Sequence, residues 1–554
     1  MISVVPKAFF SVNKPQLTIL GLVAATICGA SANVELPSIF GDHMVLQQGV
    51  PLPVWGTADA GEQVKVSFAG QEATAAADPQ GRWKLKLEAI PASGQGRDFV
   101  VAGKNKVVFT DVLVGEVWVC SGQSNMVVSQ RNAISKEVEA NKQVRFFNTP
   151  RTAYLEPQAT TKGKWVLCRN DTWLENQYSA VGYFFAEDLQ KSRNVPVGMI
   201  ESAWGGTAIA PWIDLAALEK SESFNKLAAQ VKGQFAKLPE MTAKYEKEIL
   251  PAWEEKHKSE PAPKAESEDG STGPGSAEAK PDKGKPSAGP KRPPVPGRDS
   301  GNPTALFNGM VNPHIPYAIK GALWYQGESN AQNEERSKEY AGLLQLLITG
   351  WREKWGQGDF PFFIVQLPFF TVDRPWMTLR NSQFKALSLP NTGMAVTVDL
   401  NPTDNLHPPR KQAVGERLAL LARNSVYGED LVASGPVFQS MKIEGSKIRV
   451  TFSDTGGGLV LGGPPPSYRK PNEDPSSEKS LLGFQICGAD GVWGPATAEI
   501  DGKSVLVSSD AVPHPVQASY AHANYPKANL YNKEGLPAAP FRTDDLPDFL
   551  KSKP

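Results

Sequence analysis

The stretch Val112-Leu113-Val114-Gly115-Glu116-Val117-Trp118-Val119-Cys120, followed by Ser121 and then Gly122-Gln123-Ser124-Asn125-Met126, decides the fold. A run that is apolar but for one glycine and one glutamate reads as a strand buried on both faces, the kind found inside a parallel sheet. Gly122 and the polar residues after it end that strand. A serine placed where such a strand turns into a helix carries its hydroxyl at the carboxyl edge of the sheet, where α/β folds hold their ligands. The first N–H groups of the following helix are unpaired and partly positive, so a negative oxygen forming beside Ser124 would be stabilised there. The plain alternative is a serine that caps a turn.

A second strand-like run, Met394-Ala395-Val396-Thr397-Val398, leads into Asp404-Asn405-Leu406-His407-Pro408. Serine needs an adjacent base to act as a nucleophile, and the base needs a partner that fixes its tautomer. Of the six histidines in the chain, His407 has an acid three positions before it at the end of such a run. Asp404 and His407 can therefore supply both functions. Asp404 could equally cap a helix opened by Pro408 and running through Ala413-Val414 to Leu421. Two further polar clusters follow apolar runs: Glu201-Ser202-Ala203-Trp204-Gly205-Gly206-Thr207 and Trp324-Tyr325-Gln326-Gly327-Glu328-Ser329-Asn330. Paired glycines let backbone N–H groups approach a ligand closely, and the Gln326 amide is a natural oxyanion donor. Glu328 reads as a substrate contact, a loop brace or a residue that orients a neighbour.

These blocks, in the order serine, glycine, glutamine, aspartate/histidine, resemble the four sequence blocks of the SGNH/GDSL hydrolase superfamily. GQSNM, SAWGGTAIAPW, ALWYQGESN and DNLHP resemble, more narrowly, the sialate O-acetylesterase family of carbohydrate esterases. The likeness extends to FGDHMVLQ near the start, to Gly350-Trp351-Arg352, and to Asn529-Leu530-Tyr531-Asn532. It implies an SGNH-type three-layer α/β domain in which Ser124 is the nucleophile, His407 the general base and Asp404 its orienting partner. The oxyanion hole it implies is the N–H of Ser124, that of Gly205 or Gly206, and Gln326. Many members of the superfamily carry asparagine where this chain has Gln326. The implied chemistry is hydrolysis of sugar O-acetyl esters through an acetyl-enzyme, on sialic acids or on acetylated xylan or another polysaccharide, and it calls for no metal or organic cofactor. Trp204 and Trp212 would stack on sugar faces or fill the core, and Arg380, Arg352 and Gln383 are weighed as contacts to a substrate carboxylate, against surface or structural pairing for Arg352, which lies in a predicted helix far from a strand end. A carbohydrate-binding protein without turnover would have no need of Ser124, Asp404, His407 and Gln326 together.

Lys7 and Lys14 precede an apolar stretch, Leu17 to Ile27, that ends at Ala30-Ser31-Ala32; this predicts a signal peptide over 1–32 and export, to the periplasm or outside the cell. Positive and negative side chains balance at 58 each, which gives no reason to expect a nucleic acid partner. Alternating segments such as Val64-Lys65-Val66-Ser67-Phe68 predict a β-sandwich over 33–110, and similar ones beyond residue 428 predict another over 429–554. Between them, strand and helix patterns alternate over 111–428, as a parallel sheet covered by helices on both faces requires. Within that domain, about 254–300 is rich in Pro, Lys, Glu, Gly and Ser and is predicted to be a disordered insertion. Cys120, Cys168 and Cys487 have no metal-like spacing, and a Cys120–Cys168 bridge is left open.

Overall fold

The long strand β1, Lys106–Gly122, ties the molecule together. Its first half alternates between exposed and partly buried residues, and its second half, from Val112, is buried on both sides. The computed structural model describes residues 33–129, 141–168, 178–258, 292–401, 404–463 and 479–551; the expected signal peptide lies outside them. After β1 come β2 (Asn141–Asn148), β3 (Lys164–Cys168), helix α1 (Ala180–Arg193) and β4 (Val197–Ala203). Then follow β5 (Gly321–Tyr325), α2 (Glu334–Trp355), β6 (Phe362–Val365), α3 (Trp376–Lys385), β7 (Thr392–Ala395) and α4 (Lys411–Ser425). The strands lie in the order β7-β6-β5-β1-β4-β2-β3. All neighbours are parallel except β3, which closes one edge antiparallel to β2.

Helices cover both faces, as consecutive residues of β6 show by pointing opposite ways. Phe363 stacks on Trp118 at 5.8 Å, and Trp118 meets Phe185 of α1 edge-on at 4.9 Å. Phe362 instead meets Trp351 of α2 at 5.9 Å, and Trp324 packs between Trp351 and Trp212 at 6.0 and 5.9 Å. Each such ring adds about 0.5–1.5 kcal/mol beyond its buried area.

Before β1, strands between Val45 and Ala102 form a pair (Leu52–Thr57 with Arg82–Leu87) and a larger group joined to β1 between Lys106 and Gly115. The boundary expected at 110/111 thus falls inside one continuous strand, and the amino-terminal sheet merges with the central one. Beyond α4, two four-stranded antiparallel groups face each other, with Phe541 of one packed against Phe438 and Phe452 of the other at 4.8 and 6.0 Å.

The expected insertion is shorter at its edges than composition suggested. Leu250–Lys256 is helical, Arg298 lies over the Tyr154 ring at 3.4 Å, and Leu155 donates to the Gly297 carbonyl at 3.1 Å. Polar composition hid these contacts because single cation–π and backbone bonds leave no periodic pattern. Residues 259–291 lie outside the described part. Cys120, Cys168 and Cys487 are all buried and free, so Cys120 and Cys168 are not bridged.

Candidate active site

Because β1, β4, β5 and β7 run parallel, the loops at their carboxyl ends meet on one edge. Gly122 makes the turn possible. Its φ is +135°, and a Cβ there would lie 2.1 Å from the Tyr325 carbonyl oxygen, so a side chain has no room. Gln123 then donates its N–H to that same carbonyl at 3.0 Å, and Ser124–Val127 form one helical turn.

Ser124 and His407, 283 positions apart, meet there: Nε2 of His407 lies 2.8 Å from Oγ of Ser124. His407 is half-buried. Its imidazole is pushed below the usual histidine range, first by desolvation and then by the Lys411 ammonium. Asn401 braces its loop, with Nδ2 donating to the carbonyls of Phe369 at 2.7 Å and Asn405 at 3.0 Å. Tyr525, from the carboxyl-terminal region, donates its hydroxyl to the Asn401 carbonyl at 3.0 Å.

Asp404 is not brought to His407. It is exposed, its backbone is left-handed at φ +49°, and its Oδ1 accepts the N–H of Thr371 at 2.7 Å. Among the described residues no carboxylate hydrogen-bonds the imidazole. Nor does Asp404 cap the next helix, which begins at Lys411.

Gly205 lies against the nucleophile, since a Cβ on it would be 3.3 Å from the Ser124 Cβ; Gly206, at φ +77°, faces open space. Neither the Ser124 N–H nor the Gly205 N–H donates to another group among the described residues. Gln326 has a different task from the oxyanion donor expected of it. It is wholly buried, and its Nε2 donates to Gln123 Oε1 at 3.1 Å, to the Thr207 carbonyl at 3.1 Å and to Asn330 Oδ1 at 2.9 Å. With its N–H groups spent on protein acceptors, it ties the glycine loop to the nucleophile turn. Gln326→Ala is therefore expected to destabilise the fold by about 2–4 kcal/mol, as the loss of a buried hydrogen-bonding hub does. Denaturant unfolding checks this; unchanged stability with a lower kcat would restore the oxyanion role.

Other expected contacts also turn inward. Trp212 is fully buried and donates to Thr207 Oγ1 at 3.1 Å, so it fills the core rather than facing sugar. Arg380 is fully buried against the carboxyl-terminal region, bonded to the Ala523 carbonyl and lying 4.6 Å over the Phe369 ring. Arg352 donates to the carbonyls of Phe360 and Pro390, each at 2.8 Å, and Gln383 to those of Gln326 and Val365 at 3.0 and 3.1 Å. Glu328 is buried and bonds Asn125, so it is not a substrate contact. Trp204 alone of the weighed aromatic and charged side chains stays partly exposed.

Three buried polar residues at the site were missed by sequence reasoning. Glu201, pushed up to about 7 by burial, accepts the Ser179 N–H at 2.7 Å. Asn125 and Lys411 bond each other beside the Ser124–His407 pair. A signal for Lys411 exists: it shares a helical face with Val414 and Leu418, where a solvated lysine has no place.

A model of the family described as carbohydrate esterase, sialic acid-specific acetylesterase, matches residues 114–243 and 304–423, breaking where the insertion lies. The sialate O-acetylesterase of Rattus norvegicus is 30% identical over 474 residues, covering 77% of this chain and 80% of the relative. That of Homo sapiens is 26% identical over 473 residues, covering 77% and 78%. A crystal structure of a carbohydrate acetylesterase from Xanthomonas citri matches with a TM-score of 0.73 at 33% identity, over 92% of this chain and 100% of that one. Together these likenesses define a carboxylic ester hydrolase of the carbohydrate esterase class. The chain belongs to the sialic acid-specific acetylesterase family.

Proposed function

We propose that this protein is an exported serine esterase that removes O-acetyl groups from sugars, sialic acids first among them, on an SGNH-type three-layer domain flanked by β-sandwiches. The observation that carries this reading is the 2.8 Å contact between Ser124 Oγ and His407 Nε2 at the carboxyl edge of the sheet. Ser124 Oγ bonds to the acetyl carbonyl carbon as His407 Nε2 takes its proton. The N–H groups of Ser124 and Gly205 receive the oxyanion. Collapse breaks the bond to the sugar oxygen, which takes the proton from His407. Water then adds to the acetyl-enzyme, giving a proton to His407 that returns to Ser124 as acetate leaves. Asp404, three residues from His407 and held by an exposed bond, is the acid that turns to Nδ1 in the working enzyme. Trp204 offers a face to the sugar.

A second reading, an acetylesterase of xylan or another polysaccharide, draws on Arg380. The cation that a sialic acid carboxylate would seek is sealed against Ala523 instead. Acetate release from O-acetylated sialic acids and from acetylated xylan, measured side by side, separates the two readings. No release from either, with sugar binding retained, would turn the assignment to a binding protein.

The base must be neutral to take a proton, so activity falls as the pH drops through the His407 pKa. Burial and Lys411 both lower that pKa. The acid limb of kcat/KM is therefore expected below the unperturbed ~6.5. A limb above that value would contradict the site as described.

A further inference from the structure

Beneath the Ser124–His407 contact lies a buried polar cluster that acyl transfer does not itself use. Lys411, at the start of α4, has no exposed surface, and its Nζ donates to Asn125 Oδ1 and lies 5.0 Å from the centre of the Tyr325 ring. Asn125, also with no exposed surface, donates through Nδ2 to Glu328 Oε1 and to the Leu406 carbonyl, the latter at 3.0 Å. Glu328 is itself buried. The amide is thus oriented as a cation on one side and an anion on the other demand: its oxygen faces the ammonium and its nitrogen faces the carboxylate. Asn125 follows the nucleophile in sequence, and Leu406 precedes the base. One side chain therefore joins the two loops that must meet.

We propose that Lys411, Asn125 and Glu328 form a polar clip that holds the His407 loop on the Ser124 turn, with Lys411 acting as a positioning residue. This rests on the reading of Ser124 and His407 as nucleophile and base. A buried charge is costly unless paired, and a lysine used only to fill space beside Val414 and Leu418 would be replaced by an apolar residue at no loss. The titratable or charged groups on the surrounding elements are otherwise engaged. Asp399 and Arg417 pair at 2.6 Å, Asp404 accepts from Thr371, Glu201 accepts from Ser179, and Arg410 lies 3.4 Å from the Asp399 carbonyl. Tyr325 and Tyr340 are kept neutral by burial. Burial pushes the Lys411 ammonium down to about 7 and the Glu328 carboxylate works against that; His407 is lowered first by its own burial and then by Lys411.

The test is the pH profile of kcat/KM for acetate release by the full chain, with Ser124→Ala as reference. Lys411→Met removes the charge, and the acid limb is expected to move up by about one unit, the size of a nearby charge effect. Lys411→Arg keeps the charge and is expected to leave the limb in place even where kcat falls. A limb that stays put in Lys411→Met, or moves equally in both variants, overturns the proposal. Should Lys411→Met not fold, Glu328→Gln carries the test. It keeps an acceptor for Asn125 and removes the charge that holds Lys411 protonated, so the limb is expected to move up, as in Lys411→Met; a limb that stays or falls overturns the clip. If Ser124→Ala retains activity, it is the underlying reading of the site that fails.

Discussion

Ser124→Ala is expected to reduce acetate release by about four orders of magnitude or more while leaving the thermal unfolding midpoint unchanged. Removing the attacking atom of a nucleophile–base pair typically costs about as much as removing the whole set, because the partners act as a unit. The residual rate comes from the oxyanion donors and from binding, which the substitution leaves in place. The fold should not notice: Oγ makes its contact with His407, whereas Asn125 and Met126, which follow it, carry the packing of the turn. Activity within tenfold of the parent would remove Ser124 from the mechanism.

His407→Gln is expected to cost a similar factor, about three to four orders of magnitude, since among the described residues no other imidazole bonds Ser124. Comparison with Asp404→Asn separates two states of the loop. If Asp404 swings from Thr371 to Nδ1 during turnover, the amide substitution offers the wrong hydrogen-bond pattern and kcat should fall by about two orders or more. If the carboxylate stays on the Thr371 N–H, where it bonds at 2.7 Å, the loss will be under about threefold and the enzyme works with a serine–histidine pair supported from Lys411. The first outcome is the one expected, because an exposed aspartate held by one backbone bond gives up little to rotate.

The elements that place the chemistry were legible because they rest on periodicity and on breaks in it. Val112 to Cys120 is one buried run ended by a glycine that sterics require, so Ser124 could be placed at a sheet edge without coordinates. His407 also declared itself by following an apolar run, whereas Asp404, read from the same run, rests on the Thr371 N–H instead. What sequence could not tell was the direction a polar side chain takes once its loop is placed. Gln326 and Glu328 sit at the correct strand end yet point into protein, toward Thr207 and Asn125, because those partners come from loops remote in sequence. Arg380 looked like a substrate fork and proved to be a buried contact to a region more than a hundred residues later. The junction expected at 110/111 falls inside a strand for a related reason: the alternating half and the buried half of β1 have different patterns, yet form one strand.

The central claim is that the Ser124 hydroxyl, activated by His407, is the atom that receives the acetyl group. It is tested most directly by treating the active protein with a fluorophosphonate and locating the adduct by peptide mass spectrometry. The expected result is stoichiometric labelling of Ser124 in step with loss of acetate release, and greatly slowed labelling in His407→Gln. Complete inactivation with Ser124 unmodified, or full activity with Ser124 fully labelled, would contradict it.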